Sequence, residues 1–185
     1  MRKILFLGFV LVTAAHFLAA QSLSGRRAPS FALPDSNLKQ FDILDYRGRW
    51  LLLHFLRTDR PTCAILTKQL DDMKPRFGTR VAILSILVPP DNTASAAKYL
   101  AATKTTTPMV FDSGQTAIWY FKATPQRPQF DAPHLFAINP QGIIVRDWNE
   151  FEVAKPEFAA QLQALVARPE AAHPDVTRPD AGKKE

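Results

Sequence analysis

Two apolar runs constrain this chain more than any other feature. Trp50 to Leu56 reads W-L-L-L-H-F-L, and Val81 to Val88 reads V-A-I-L-S-I-L-V, each of strand length and almost unbroken by polar residues. A strand with one wet face alternates polar and apolar positions, whereas a continuous run fits a strand covered on both faces. A helix is expected between the two. Pro61 suits its first turn, where a missing N–H costs nothing, and Thr58 or Asp59 is placed to cap it. Cys63, Leu66, Leu70 and Met73 then share one helical face, and Pro75 and Gly78 mark the end.

The rest of the chain continues the pattern. After Pro89-Pro90 a helix is expected from about Asn92 to Ala102, capped by Asn92 or Thr93, then a short strand at Met109 to Phe111 and a short helix from Gly114 to Lys122. His134 to Ile138 and Ile143 to Trp148 flank Asn139-Pro140-Gln141-Gly142, whose second-place proline and fourth-place glycine predict an antiparallel hairpin. A last helix begins near Pro156 and buries Phe158, Leu162, Leu165 and Val166. Leu23 to Asp45 is a lead-in with turn residues and alternating apolar positions at Phe31, Leu33, Leu38 and Phe41. The order predicts an α/β fold, with a central mixed sheet flanked by helices on both faces.

The ends of the chain differ from this middle. Arg2 and Lys3 precede an apolar stretch from Ile4 to Leu18 and then small residues, so residues 1–22 read as a signal peptide, or as an N-terminal anchor if it is not cleaved. Residues 23–167 form one domain, which matches a 185-residue chain with 46% hydrophobic residues. Residues 168–185 have almost nothing to bury and are expected to be a disordered tail. The expected location is outside the cytoplasm, in the periplasm or cell envelope, or secreted, with a membrane tether only if the leader stays attached. The formal charge of +6 comes from scattered residues with no basic stripe, so no nucleic-acid partner is expected. No glycine-rich phosphate loop and no His, Cys, Asp and Glu set with metal-ligand spacing is present, so neither cofactor nor metal is expected.

Cys63 is the only cysteine, so no disulfide can form within one chain. Its position allows two readings. A first-turn thiol near unpaired backbone N–H groups, with Arg60 three residues earlier, has the ingredients of a stabilised thiolate. The same residue begins the apolar stripe with Leu66 and Leu70, and burial would raise its pKa and make it inert. His134 can serve as a base toward Cys63 or sit hydrogen-bonded at a strand start, the simpler assignment. His54 reads as a satisfied core residue, and Trp50, Trp119 and Trp148 as core or groove aromatics. Asp59 reads as a cap and Asp112 as a loop acid.

Three segments resemble the thioredoxin-like redoxins, the group of alkyl hydroperoxide reductases, thiol-specific antioxidants and exported thiol–disulfide oxidoreductases. Gly25 to Asp35 (G-R-R-A-P-S-F-A-L-P-D) is similar to the opening motif G-x-x-A-P-x-F-x-L. Gly48 to Phe55, leading to Cys63, resembles the strand, loop and cysteine of the active site. Ala132 to Ile144 (A-P-H-L-F-A-I-N-P-Q-G-I-I) resembles the proline-led strand and D-P-Q-G turn. The resemblance implies a thioredoxin-like fold and a cis peptide bond at Pro133, facing the Cys63 loop and shaping a groove for a peptide or disulfide partner. It also exposes departures. Where dithiol members carry Cys-x-x-Cys, this chain has Arg60-Pro61-Thr62-Cys63. Arg60 also stands where peroxidase members place a threonine, and Pro133 where they often place an arginine.

Two functions follow. In one, Cys63 acts alone on a peroxide or a partner protein's thiol, with Arg60 stabilising the thiolate, Pro133 shaping the groove, and an external thiol resolving the product. In the other, the redox cycle is lost and the groove binds a protein or peptide without chemistry. In both, Pro61, Thr62, Ala132 and His134 are the expected binding residues.

Overall fold

The computed structural model describes residues 24–126 and 131–167; the leader expected over 1–22 and the tail expected over 168–185 lie outside them. In chain order the elements are β1 (Ala32–Pro34), β2 (Gln40–Asp42), β3 (Trp50–Leu56), α1 (Pro61–Phe77), β4 (Val81–Leu87), α2 (Thr93–Thr103) and β5 (Met109–Phe111). They continue with α3 (Gln115–Phe121), β6 (His134–Ile138), β7 (Ile144–Trp148), α4 (Glu150–Val153) and α5 (Phe158–Ala167). Five strands form one sheet in the order β5-β4-β3-β6-β7, with β1 and β2 a separate antiparallel pair. β3 is the central strand, parallel to β4 and antiparallel to β6. The mixed sheet flanked by helices expected from the order of elements is the one observed, as is the thioredoxin-like fold that the resemblance implied.

Every residue of β3 is buried, because both of its faces are covered. Leu51, Leu53 and Phe55 join Leu84, Ile86, Phe136, Ala117 and Tyr120 on the face beneath α3. Trp50 and Leu52 join Leu66, Leu70, Leu135, Phe158 and Leu162 on the face beneath α1 and α5. At the C-terminal end of this second face, Leu56 and Leu87 meet Cys63 from α1 and Ala96 and Tyr99 from α2. The start of α1 is therefore held over the end of β3.

Several local expectations need correction. The residue capping α1 is Arg60, with no side-chain bond to the helix; Thr58 and Asp59 are engaged elsewhere. Leu38 does not alternate into the core: it is exposed with a φ of 62° in the turn where the Asp35 carboxylate accepts the N–H groups of Asn37 and Lys39. Trp119 lies half exposed on α3. The short α4, begun by an Asn149–Glu152 capping box, was hidden by its four-residue length. Asp112 accepts the N–H groups of Thr116 and Ala117, which satisfies the start of α3.

His54 is buried as expected but is not satisfied. It lies on the α1 side of β3 between Ser85 and Leu135 in register, and neither ring nitrogen has a hydrogen-bond partner among the described residues. Burial, with His134 adding repulsion, holds its pKa down to about 3, so the folded protein keeps this ring neutral. The unfolded chain takes up that proton near the ordinary value of 6.5, so stability falls as pH drops below it. Replacement by leucine removes this contribution. The stability of His54→Leu relative to wild type should rise by about 1.4 kcal/mol per pH unit on acidification below that value. Urea unfolding of both proteins at stepped pH checks this, and parallel acid profiles would contradict it.

Candidate functional site

The site is built where β3 ends and α1 begins. A four-residue loop, Arg57 to Arg60, joins them, closed by the Arg60 N–H on the Arg57 carbonyl at 3.3 Å. Pro61 occupies the first helical position and is exposed, as is Arg60. Two residues further, Cys63 has no solvent exposure. Its Sγ accepts the Arg57 N–H at 3.4 Å and is otherwise walled by Leu56, Leu87, Ala96, Tyr99, Met109 and Ala132. The stripe of Leu66, Leu70 and Met73 sets the rotation of α1, and that rotation turns Cys63 inward.

The electrostatics follow from this placement. Burial pushes the Cys63 thiol from 9.0 up to about 12; the Arg57 N–H opposes this, the Glu150 charge adds to it, and Arg60 offsets only a small part. At neutral pH the thiolate fraction is then roughly 10⁻⁵. Tyr99, in the same cluster, is likewise pushed up to about 12 by burial, and its hydroxyl shares a 2.8 Å bond with Thr67. Of the two readings of Cys63 open in the sequence, the structure presents the buried one. Arg60 itself is exposed.

The proline-led segment lies where the resemblance implied. The Ala132–Pro133 bond is cis, and Ala132 shares the apolar cluster with Cys63. Both residues are buried, so they form a wall beside the loop. Thr62 is half buried, and its hydroxyl donates to Glu150 Oε1 at 2.9 Å. His134 does not reach Cys63. It pairs in register with Phe55, so its ring lies on the α3 side of the sheet, stacked near Phe121 and Phe136, while Cys63 lies on the other side. Its Nε2 bonds Asp147 Oδ2 at 2.9 Å, and Asp147 in turn accepts the Ser24 hydroxyl at 3.2 Å. On that face, held by Asp147, His134 fits neither the role of base toward Cys63 nor the expected place among the binding residues of the Cys63 loop.

Two carboxylates that the sequence reading missed bear on the site. Asp91 accepts the Thr58 N–H at 2.8 Å and the Thr58 hydroxyl. Glu150 holds Thr62. These bonds join positions 33 and 88 residues apart, so no local spacing signals them. Among the described residues no three His, Cys, Asp or Glu side chains converge as metal ligands, and no helix is long and apolar enough to cross a membrane.

A mixed sheet with a cysteine under the first helix and a cis-proline segment beside it defines a thioredoxin-fold redoxin. The model of the AhpC/TSA family matches residues 24–147, and the chain belongs to that family. A "Putative peroxiredoxin" of Mycobacterium tuberculosis strain H37Rv is 31% identical over 91 residues, 48% of this chain and 56% of that protein. The chain thus spans about half the length of the curated relatives it matches. The crystal structure of a "putative Thiol:disulfide interchange protein DsbE" from Chlorobium tepidum matches with a TM-score of 0.64 and 22% identity, covering 76% of this chain and 93% of that one. The thioredoxin domain of a thiol-disulfide oxidoreductase from Bacteroides vulgatus matches with a TM-score of 0.63 and 16% identity, covering 77% and 97%. At these identities the structural likeness shows the fold.

The packing around Cys63 predicts how substitutions behave. Cys63→Ala should lower unfolding free energy by about 1–2 kcal/mol through lost packing. Cys63→Ser should cost at least as much, because it places a hydroxyl among apolar neighbours. Denaturant midpoints measure both, and a neutral Cys63→Ser would show that the position is not sealed.

Proposed function

We propose that this protein is an exported member of the AhpC/TSA family that binds a partner polypeptide in the groove between the Arg60–Thr62 turn and the Ala132–Pro133 wall, without covalent chemistry at Cys63. The observation that carries this reading is the complete burial of the only cysteine in an apolar cluster, with its pKa raised to about 12. Thiol exchange and peroxide reduction both need an accessible thiolate, and here the exposed cap position just before the helix is held by Arg60. Export is supported by the basic start and apolar run of residues 1–22, and by the kinship in fold with a protein named as a thiol:disulfide interchange protein.

A second reading keeps the redox cycle. Membership of a thiol-redox family and the Arg57 N–H on the sulfur favour it, since that bond stabilises a thiolate. In that case the Cys63 thiolate meets a peroxide or a partner disulfide only when the loop lifts, and an external thiol reduces the resulting sulfenic acid or mixed disulfide.

One comparison separates the two. Wild type and Arg60→Cys are assayed for reduction of a protein disulfide with dithiothreitol as donor, and wild type for peroxide turnover. The binding reading predicts no wild-type turnover in either assay. It also predicts a gain of roughly 10-fold or more over background in Arg60→Cys, because the fold then carries an exposed nucleophile with Cys63 behind it. Wild-type turnover that Cys63→Ser abolishes would overturn it.

A further inference from the structure

The loop over Cys63 is held from outside by two carboxylates of unequal grip. Glu150 takes one hydroxyl, that of Thr62. Asp91 takes both the N–H and the hydroxyl of Thr58, the residue at the middle of the loop. Asp91 is itself anchored. Its Oδ1 receives the Ser95 hydroxyl at 2.8 Å, and Ser95 belongs to the Asn92 capping box that begins α2. Its N–H bonds the Val88 carbonyl at 3.1 Å, and the Val88 N–H bonds the Leu56 carbonyl at 3.3 Å, which ties the turn to the end of β3. Two of the loop's three charges, Arg57 and Asp59, are spent on each other.

Apart from that clasp the loop is held by its own backbone turn, Arg60 N–H to the Arg57 carbonyl, and by the Arg57 N–H on the Cys63 sulfur. Asp59, Arg60 and Pro61 are exposed, whereas β3 before it and the inward face of α1 after it are core. Local opening proceeds where buried contacts are few, and neither Thr58 nor Asp91 takes part in the pairing of β3 with β4 or β6. We propose that Asp91 is the positioning residue of the Cys63 loop: its clasp on Thr58 sets how often the loop lifts, and so how often the thiol is exposed, independently of unfolding of the sheet. This inference rests on the reading of Cys63 as sealed in the closed molecule.

The test is the rate at which N-ethylmaleimide alkylates Cys63 in the folded full chain at fixed neutral pH, followed by intact mass at several low urea concentrations. Asp91→Ala should react about 10-fold faster than wild type or more, with a rate almost independent of urea. Asp91→Asn keeps an acceptor for the Thr58 N–H and should stay within about threefold of wild type. Thr58→Val should accelerate the reaction less, and should add nothing on top of Asp91→Ala. An unchanged rate in Asp91→Ala, or a rate that climbs with the full urea dependence of global unfolding, overturns the proposal. If Asp91→Ala does not fold, Thr58→Val decides, and an unchanged rate there overturns it equally. Wild type reacting as fast as a free thiol would instead remove the sealed-cysteine reading, and that result appears before any substitution is made.

Discussion

Burial of β3 on both faces is the constraint on which the rest of the molecule depends. Because Leu51, Leu53 and Phe55 face α3 while Trp50 and Leu52 face α1 and α5, the strand has one admissible register between β4 and β6. That register fixes where Leu56 ends, and the four residues after it must turn directly into α1. The Leu66 and Leu70 stripe then locks the rotation of the helix, and the rotation carries Cys63 inward against Leu56, Leu87 and Tyr99. The fate of the thiol is thus decided by packing one and two turns along the helix from it.

Magnitudes decide the electrostatics in the same direction. A helix start favours an anion by about 0.3–1 kcal/mol in exposed settings. The rise of the Cys63 pKa from 9.0 to about 12 corresponds to about 4 kcal/mol against the anion. Desolvation therefore exceeds the helix start, the Arg57 N–H and Arg60 together. A thiol at the exposed cap position would escape that desolvation, and here that position carries the Arg60 guanidinium. The fold keeps the cis-proline segment and the helix start of a redoxin, while the Cys63 sulfur is buried.

The fold was legible because its signals are local. The two apolar runs, the Pro61 and Gly78 boundaries and the Asn139 to Gly142 turn each lie within one element or its edge, and each appears where expected. The cis bond at Pro133 came from resemblance to redoxins rather than from spacing. The candidate site was legible only in part. Cys63 stands at a first-turn position from which either solvent or core is within reach, and only the three-dimensional packing of α1 chooses between them. His134 looked close to the loop because sequence does not state on which face of β6 its ring falls, and pairing with Phe55 places it on the far side. Asp91 and Glu150 were invisible because their bonds to Thr58 and Thr62 join distant segments through side chains.

The most direct test of the account is the ionisation of Cys63 in the folded protein, read as the thiolate absorbance of wild type minus that of Cys63→Ala across an alkaline titration. The account predicts no thiolate signal through about pH 9–10, where a free thiol with a pKa of about 8.5 is largely ionised. A midpoint at or below that of a free thiol, with secondary structure unchanged, would contradict it and return Cys63 to the role of a working nucleophile.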